Sequence, residues 1–546
     1  MMISSTILSL VLHAAVGTAV PSTLHYRNVS TTAKIDSGII VGTSVVEPES
    51  QATVIKYLGI PFGAPPERFK PPRRPDPWTS PYDASNYKPA CIQKFNYPEP
   101  MRDLTMQWFN SPPSSAGESE DCLNLNVFVP ASQSSSPKPV MFWLFGGAFS
   151  FGTGSLPAYD GTSFAANQDV IVVTPNYRTN VFGFPGSPEL SRSEQNLGFL
   201  DQRLALDWVQ RNIAALGGDP GKVTIVGESA GAGGVDALVT APPQPVPFRA
   251  AIMQSGQASI SAENNSSAVS WQKLIKLANC AESSALKCLG ALPADQLRDL
   301  VERQSLSFWP VHDGGVTLAD KPRVDRLRSR STGSSIARVP VMIGTNAEEG
   351  LTFVYGKNDS RKFLQDSLPN ANALTISLAL GLYPKGTRQT KDSFHQLGLI
   401  DTEVTMQCPA RALARDNEKV GIQTWRYYFE ASFPNTEIFD HSGAWHSSEI
   451  RLIFGTYPKQ GATALQVDLS RRMQTAWANF IKDPQKGPGW AQSPSVAFIG
   501  KAARDTGSNG QNAKEVASDP IVSGSALYLD RRCFLLDGAY DKLSGV

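Results

Sequence analysis

Five short runs rich in β-branched and other apolar residues recur along the middle of the chain: Val140–Phe145, Val170–Thr174, Val223–Val226, Ala250–Met253 and Val339–Ile343. They are apolar almost throughout rather than alternating, so both of their faces must be covered. Helical stretches separate them. The best marked lies between Gly198 and Leu216, where Leu200, Leu204 and Trp208 recur every four residues with Ile213 on the same face. Gly217-Gly218-Asp219-Pro220 closes it, as glycine and proline should. This alternation predicts an α/β fold with a mostly parallel central sheet flanked by helices. A further strand is expected at Thr424–Phe429. No repeat and no linker divides the chain, so residues 20–546 read as a single domain. The Ser/Pro patch Ser134–Pro139 reads as a short connection, and the polar stretch from Ala502 to Ser523 as a surface loop.

The 546 residues are 41% hydrophobic, enough to bury a large core. Lys and Arg number 50 against 49 Asp and Glu, a net charge of +1. No basic field exists for a phosphate backbone, and nucleic acid is not an expected partner. Residues Ile7 to Val16 form an apolar run followed by Gly17, Thr18 and Ala19. This reads as a signal peptide of residues 1–19, cleaved after Ala19. No later stretch reaches the roughly 18 continuous apolar residues of a spanning helix. A secreted protein without an integral membrane segment is the expectation. Glycan acceptor triplets stand at Asn28, Asn264, Asn265 and Asn358.

Six cysteines, an even number, suit the same oxidising compartment. Spacing suggests Cys280 with Cys288 and Cys91 with Cys122, leaving Cys408 and Cys533 to close a long loop. Spacing alone does not choose among the pairings. No Cys-x-x-Cys and no Cys/His cluster with zinc spacing occurs, so neither metal nor cofactor is expected.

The chemistry concentrates in Val223-Thr-Ile-Val-Gly-Glu-Ser-Ala-Gly-Ala-Gly-Gly234, a strand, a tight turn and the start of a helix. Gly227-Glu228-Ser229-Ala230-Gly231 has the G-x-S-x-G pattern, whose glycines make room for a strained turn that lifts the serine hydroxyl above the sheet. The phosphate-binding alternative fails, because no G-x-x-x-x-G-K-[ST] is present and no lysine opens the helix. A nucleophilic serine needs a base, an orienting carboxylate and oxyanion donors. Gly146-Gly147-Ala148-Phe149 follows a strand directly, and its small residues let the N–H groups of Gly147 and Ala148 approach a developing oxyanion, with Ala230 N–H as a third donor. The acid is expected after the strand Val339–Ile343, where Glu348 and Glu349 both stand. His312, His395, His441 and His446 are the candidate bases, the last two lying in the loop after Thr424–Phe429.

The chain resembles the type-B carboxylesterase/lipase family of α/β-hydrolases, which includes cholinesterases and secreted fungal lipases. The motifs that carry this likeness run from about Ile39 to Phe534 and keep their order. They are Gly59-Ile-Pro-Phe-Gly-Ala-Pro-Pro66, Glu120-Asp-Cys-Leu-Asn-Leu-Asn126, Asn176-Tyr-Arg178, Asn196-Leu-Gly-Phe-Leu-Asp-Gln202, Gly217-Gly-Asp-Pro220 and the serine turn. The resemblance implies an α/β-hydrolase fold with large insertions forming a substrate gorge or lid. It implies that Glu349, which precedes glycine, is the acid, and that His446, ahead of Glu449-Ile450 and Phe454-Gly455, is the base. It also supports the three cysteine pairs above. The implied activity is hydrolysis of a small-molecule or lipid ester through an acyl-enzyme, declining as pH falls toward about 6, where an ordinary imidazole protonates. Oligomeric state stays open.

Two departures stand out. Family members usually carry three glycines where this chain has Gly146-Gly147-Ala148, and the alanine methyl narrows the expected acyl site. Between Cys91 and Cys122, Met101, Leu104 and Trp108 could share a helix face, and in the family's lipases this loop is a lid. A triacylglycerol lipase and a tailoring esterase of secondary metabolism are therefore alternatives. The family's non-catalytic adhesion proteins are disfavoured, because all three triad positions are occupied.

Overall fold

The computed structural model describes residues 30–131, 136–260, 265–330, 335–368, 371–500 and 519–546. The signal-peptide segment, Asn28 and Asn264 lie outside the described residues. Thr31–Val546 forms one compact unit. Its strands are β1 (Thr32–Ile35), β2 (Gly38–Val41), β3 (Thr43–Val46), β4 (Thr53–Pro61), β5 (Tyr82–Asp83), β6 (Asn124–Pro130) and β7 (Lys138–Leu144). They continue with β8 (Ile171–Pro175), β9 (Gly218–Glu228), β10 (Ala250–Gln254), β11 (Val341–Asn346), β12 (Thr424–Phe429), β13 (Ser495–Ile499) and β14 (Ile521–Ser525). β1, β2 and β5 make a small sheet of their own.

The other strands form an 11-stranded sheet in the order β14-β13-β12-β11-β10-β9-β7-β8-β6-β4-β3. All pairings from β8 through β7, β9, β10, β11 and β12 to β13 are parallel, and the outer pairings are antiparallel. The five apolar runs read from the sequence become β7 to β11, the middle of this sheet. Their residues are buried on both faces because helices cover both sides. Two large apolar clusters result. One gathers Trp143, Trp425 and Trp477, and the other Trp208, Ile225 and Leu413.

Parallel strands expose all their C-terminal ends along one edge. The loop after β7, the turn after β9, the acid loop after β11 and the histidine loop after β12 therefore open on the same side, as ligand sites in α/β sheets do. Register completes the alignment: Leu144 pairs with Gly227, Glu228 with Gln254, and Asn346 with Phe429.

Four expectations need correction. The marked helix spans Leu197–Asn212, and Ile213–Leu216 is a separate 3₁₀ turn capped by Gly217 at φ 80°. Its inner face carries Asp201, Gln202, Ala205, Trp208 and Val209, while Leu200 and Leu204 are only half-buried. The reason is a buried ion pair: Arg178 Nε and Nη2 reach the Asp201 carboxylate, each at 2.8 Å, turning that residue inward. Next, Ser134–Pro139 is not wholly a connection, because Lys138 and Pro139 already belong to β7. The register slips between Lys138 and Val140, where proline has no N–H to offer the ladder. Third, the polar stretch ending at Ser523 runs into an antiparallel edge strand, β14, whose one free side tolerates glycine and serine. Finally, the helix between Cys91 and Cys122 spans Glu99–Phe109, but Met101 stays 37% exposed, and Thr105 and Trp108 carry the buried face.

Candidate active site

Ser229 stands between β9 and the helix Ala230–Thr240 with φ 55° and ψ −122°. A side chain at φ > 0 is strained, and the surroundings hold it there: Ser229 N donates to Gln254 O at 2.8 Å. The flanking glycines are obligatory. A Cβ on Gly227 would stand 2.4 Å from Gly231 O, and one on Gly231 would stand 2.0 Å from Leu144 O. Strand, turn and helix can only close this tightly without side chains at those two positions.

The loop after β7 approaches from the side. Gly147 has φ 113°, Ala148 φ 52° and Phe149 φ 54°. Tyr177 Oη donates to Phe145 O at 2.7 Å and stacks on the Phe145 ring, which buttresses the loop from behind. Gly152 N donates to Gln93 Oε1 at 2.7 Å, tying the loop to the segment after Cys91. The N–H groups of Gly147, Ala148 and Ala230 have no protein acceptor among the described residues. They are donors available to an anion.

His446 is 4% exposed, and its Nδ1 lies 2.6 Å from Glu349 Oε2. Glu349 is fully buried in the turn after β11, where its other oxygen accepts Asn346 N at 2.7 Å. The alternative acid, Glu348, has a different task. It exchanges backbone contact with the histidine loop, with Glu348 N donating to Ala444 O and Ala444 N donating to Glu348 Oε2. Among the other histidines, His312 Nδ1 meets Ala319 O, His395 Nδ1 meets Asp392, and His441 is exposed. None of them joins the serine turn.

Three further acidic groups meet here. From the sequence, Glu228 is expected to add negative potential beside the serine or to serve as a hydrogen-bonded turn carboxylate, whereas Glu449 and Asp401 have no expected role. Glu228, beside the nucleophile candidate, lies 3.3 Å from His446 Nε2 and accepts Ser447 Oγ at 2.6 Å. Nε2 thus faces Glu228, and no hydrogen bond joins it to Ser229 Oγ. Glu449 is buried and accepts Gln254 Nε2 and Asn346 Nδ2, which locks β10 and β11 to the histidine loop. Asp401, at the end of a helix between the acid and histidine loops in chain order, interacts electrostatically with His446 and Glu349. Glu449 sits three residues after His446 and marks that histidine's motif; nothing in the sequence flagged Asp401.

These carboxylates set the charge. Burial, with Glu449 and Glu349 nearby, pushes the Glu228 carboxyl up to about 8 against the pull of His446. For His446 burial opposes the charged form, but Glu228, Glu349 and Glu449 outweigh it and push the imidazole up to about 9. The wall opposite is aromatic. Phe353 lies 4.9 Å from the His446 ring and Phe109 6.4 Å, while Trp108 packs on Tyr355 and Phe439. The helix Glu99–Phe109 therefore lies against the imidazole.

Residues 29–498 match the model of the carboxylesterase family. The chain belongs to the carboxylesterase family. Its α/β-hydrolase fold and its activity as a carboxylic ester hydrolase follow from that membership. Among curated relatives, the acetylcholinesterase of Electrophorus electricus is 31% identical over 508 residues, covering 82% of this chain and 78% of the relative. The cholinesterase of Mus musculus is 31% identical over 492 residues, covering 82% and 77%. The para-nitrobenzyl esterase of Bacillus subtilis (strain 168) is 33% identical over 457 residues, covering 79% and 86%. Disulfides join Cys91 to Cys122, Cys280 to Cys288 and Cys408 to Cys533 in this carboxylesterase. No helix among its described residues is long and apolar enough to cross a membrane.

Proposed function

We propose that this carboxylesterase cleaves its ester with Ser229 as nucleophile, His446 as base and Glu349 as the orienting acid. The observation that carries the reading is the 2.6 Å contact between His446 Nδ1 and Glu349 Oε2, at the strand edge where Ser229 turns out of β9. With Nδ1–H held by Glu349, Nε2 carries the free lone pair. A swing of the ring about that anchor hands Nε2 from Glu228 to Ser229. Ser229 Oγ then bonds to the ester carbonyl carbon while its proton passes to Nε2. The oxyanion is met by the N–H groups of Gly147, Ala148 and Ala230. The proton on Nε2 goes to the leaving alcohol as the C–O bond breaks, leaving an acyl-Ser229. Water, deprotonated by His446, attacks that acyl group and releases the carboxylic acid. Ser229→Ala removes the nucleophile, and turnover of para-nitrophenyl esters should fall at least about a thousandfold. Retained ester hydrolysis would reject the assignment.

The placement of the helix Glu99–Phe109 against His446 favours a second reading, a lipase whose Cys91–Cys122 loop is a lid. A rate series on esters of increasing acyl length, with and without an oil–water interface, separates the two. Interfacial activation on long chains marks the lipase; preference for short soluble esters marks the carboxylesterase. Residues 20–546 are proposed to be the secreted, single-domain enzyme, a reading supported by three disulfides. Mass spectrometry of protein recovered from culture medium should find Val20 at the N-terminus. Asn265 and Asn358 are exposed and offered as glycan carriers, to be checked by glycosidase mass shift.

A further inference from the structure

Behind the acid loop lies a carboxylate that the ester-hydrolysis scheme leaves without a task. Asp401 ends the helix Ser393–Asp401, and a π-helical turn, Thr402–Gln407, begins at the next residue. Turns of that kind are rare and recur at functional sites. The junction is packed directly on the residue after Glu349. Gly350 N donates to Thr402 Oγ1 at 2.9 Å, and Thr402 Oγ1 donates to Gly398 O at 2.8 Å. A Cβ on Gly350 would stand 2.2 Å from Gly398 O and 2.8 Å from Asp401 Cβ. Asp401 is therefore pressed against the acid loop with nothing between them.

Its carboxylate is not built as a structural one. Asp392, at the other end of the same helix, caps His395 N, and Asp236 on the nucleophile's helix accepts two backbone N–H groups. By contrast, Asp401 Oδ2 is buried with no hydrogen-bond partner. Leaving such an oxygen unpaired is costly, and that cost calls for a compensating role. The charged groups that face Asp401 are His446 from the histidine loop and Glu349 from the acid loop, and the Thr405 hydroxyl from the π-helical turn is a hydrogen-bonding neighbour. His446 in turn is faced by Glu228, Glu349, Glu449 and Asp401.

We propose that Asp401 is a positioning residue for the triad, a second carboxylate behind Glu349 whose negative charge favours the imidazolium of His446 during acyl transfer. The charge acts through space, from the side where Asp401 packs on Gly350. Burial pushes the Asp401 carboxyl up to about 6, against the pull of His446, so its charge appears as pH rises through a range where an esterase works.

The inference rests on the triad reading, and Asp401→Asn tests it by removing the charge while keeping the shape. Loss of a negative charge lowers the imidazole's affinity for a proton. The acid limb of kcat/KM should move to lower pH by about half a unit or more, and plateau kcat should fall several-fold. Asp401→Ser, smaller and also neutral, is the second variant and should move the limb the same way. An acid limb that coincides with the parent's in the folded variants overturns the proposal even if kcat falls, because a merely structural aspartate would change amplitude and not the pH profile. Activity surviving in Ser229→Ala would instead sink the triad reading, so the two failures are distinguishable.

Discussion

His446 Nδ1 and Glu349 Oε2 approach to 2.6 Å across 97 residues of chain, while the neighbouring Glu348 binds Ala444 N instead. Two adjacent carboxylates thus divide two tasks, one holding the imidazole and one holding the loop that carries it. Glu349→Gln should lower kcat by about 10³–10⁴, as loss of the orienting anion does in such triads. Glu348→Gln should leave kcat within several-fold and cost about 1–2 kcal/mol in denaturant titration. Equal kcat losses in the two variants would contradict this division.

The pH profile should differ from that of a free imidazole. The proposed base works in its neutral form, and His446 is pushed up to about 9. The acid limb of kcat/KM is therefore expected above pH 6.5 rather than near 6, where the sequence alone put it. Glu228→Gln removes a carboxylate 3.3 Å from Nε2 and should shift that limb downward. Initial rates from pH 5 to 10 for both proteins check the sign.

Stability should fall on the alkaline side. The folded protein holds a proton on His446 up to about pH 9, whereas the unfolded chain releases it near 6.5. Glu228, raised to about 8, also binds its proton more tightly folded than unfolded. In both cases the native state binds more protons, so its stability is greatest below the unfolded pKa and is lost as pH rises through the folded one. Thermal melting should give a lower Tm at pH 9 than at pH 6.5.

Ala148 sits at φ 52°, where an alanine costs about 1 kcal/mol relative to glycine. Ala148→Gly should leave melting unchanged or slightly raised and keep the N–H donor in place. With the methyl gone, kcat/KM should rise for branched or aromatic acyl esters more than for acetates. An unchanged ratio between these substrates would show that the methyl does not face the acyl group.

The Arg178–Asp201 pair is nearly sealed from water, with side chains 5% and 0% exposed. Asp201→Ala leaves a buried guanidinium unpaired and should destabilise the protein by about 3–5 kcal/mol, read from denaturant midpoints.

What the residue order determined by itself is local. Continuous apolar runs specify strands covered on both sides, and the runs from Val140 to Ile343 did become the middle of the sheet. Gly227 announces a turn too tight for side chains, because the clash it avoids, with Gly231 O, lies within a few residues; the clash Gly231 avoids, with Leu144 O, comes from the neighbouring strand. Sequence also put Glu348 and Glu349, and His441 and His446, in the loops after β11 and β12, although choosing Glu349 and His446 within them needed a family motif. The misread face of the helix Leu197–Asn212 has a physical cause: periodicity counts apolar residues, and Asp201 is buried by a partner 23 positions away.

Tertiary structure alone decided the electrostatics. Glu228 and Asp401 reach His446 from two other elements, and only packing makes them its neighbours, whereas Glu449 follows it three residues on in the same loop. Desolvation and Coulomb attraction depend on distances that chain order does not contain, since a parallel sheet gathers its strand ends whatever lengths of chain separate them. The chain spelled out the turn that lifts Ser229. The fold supplied the field in which His446 works.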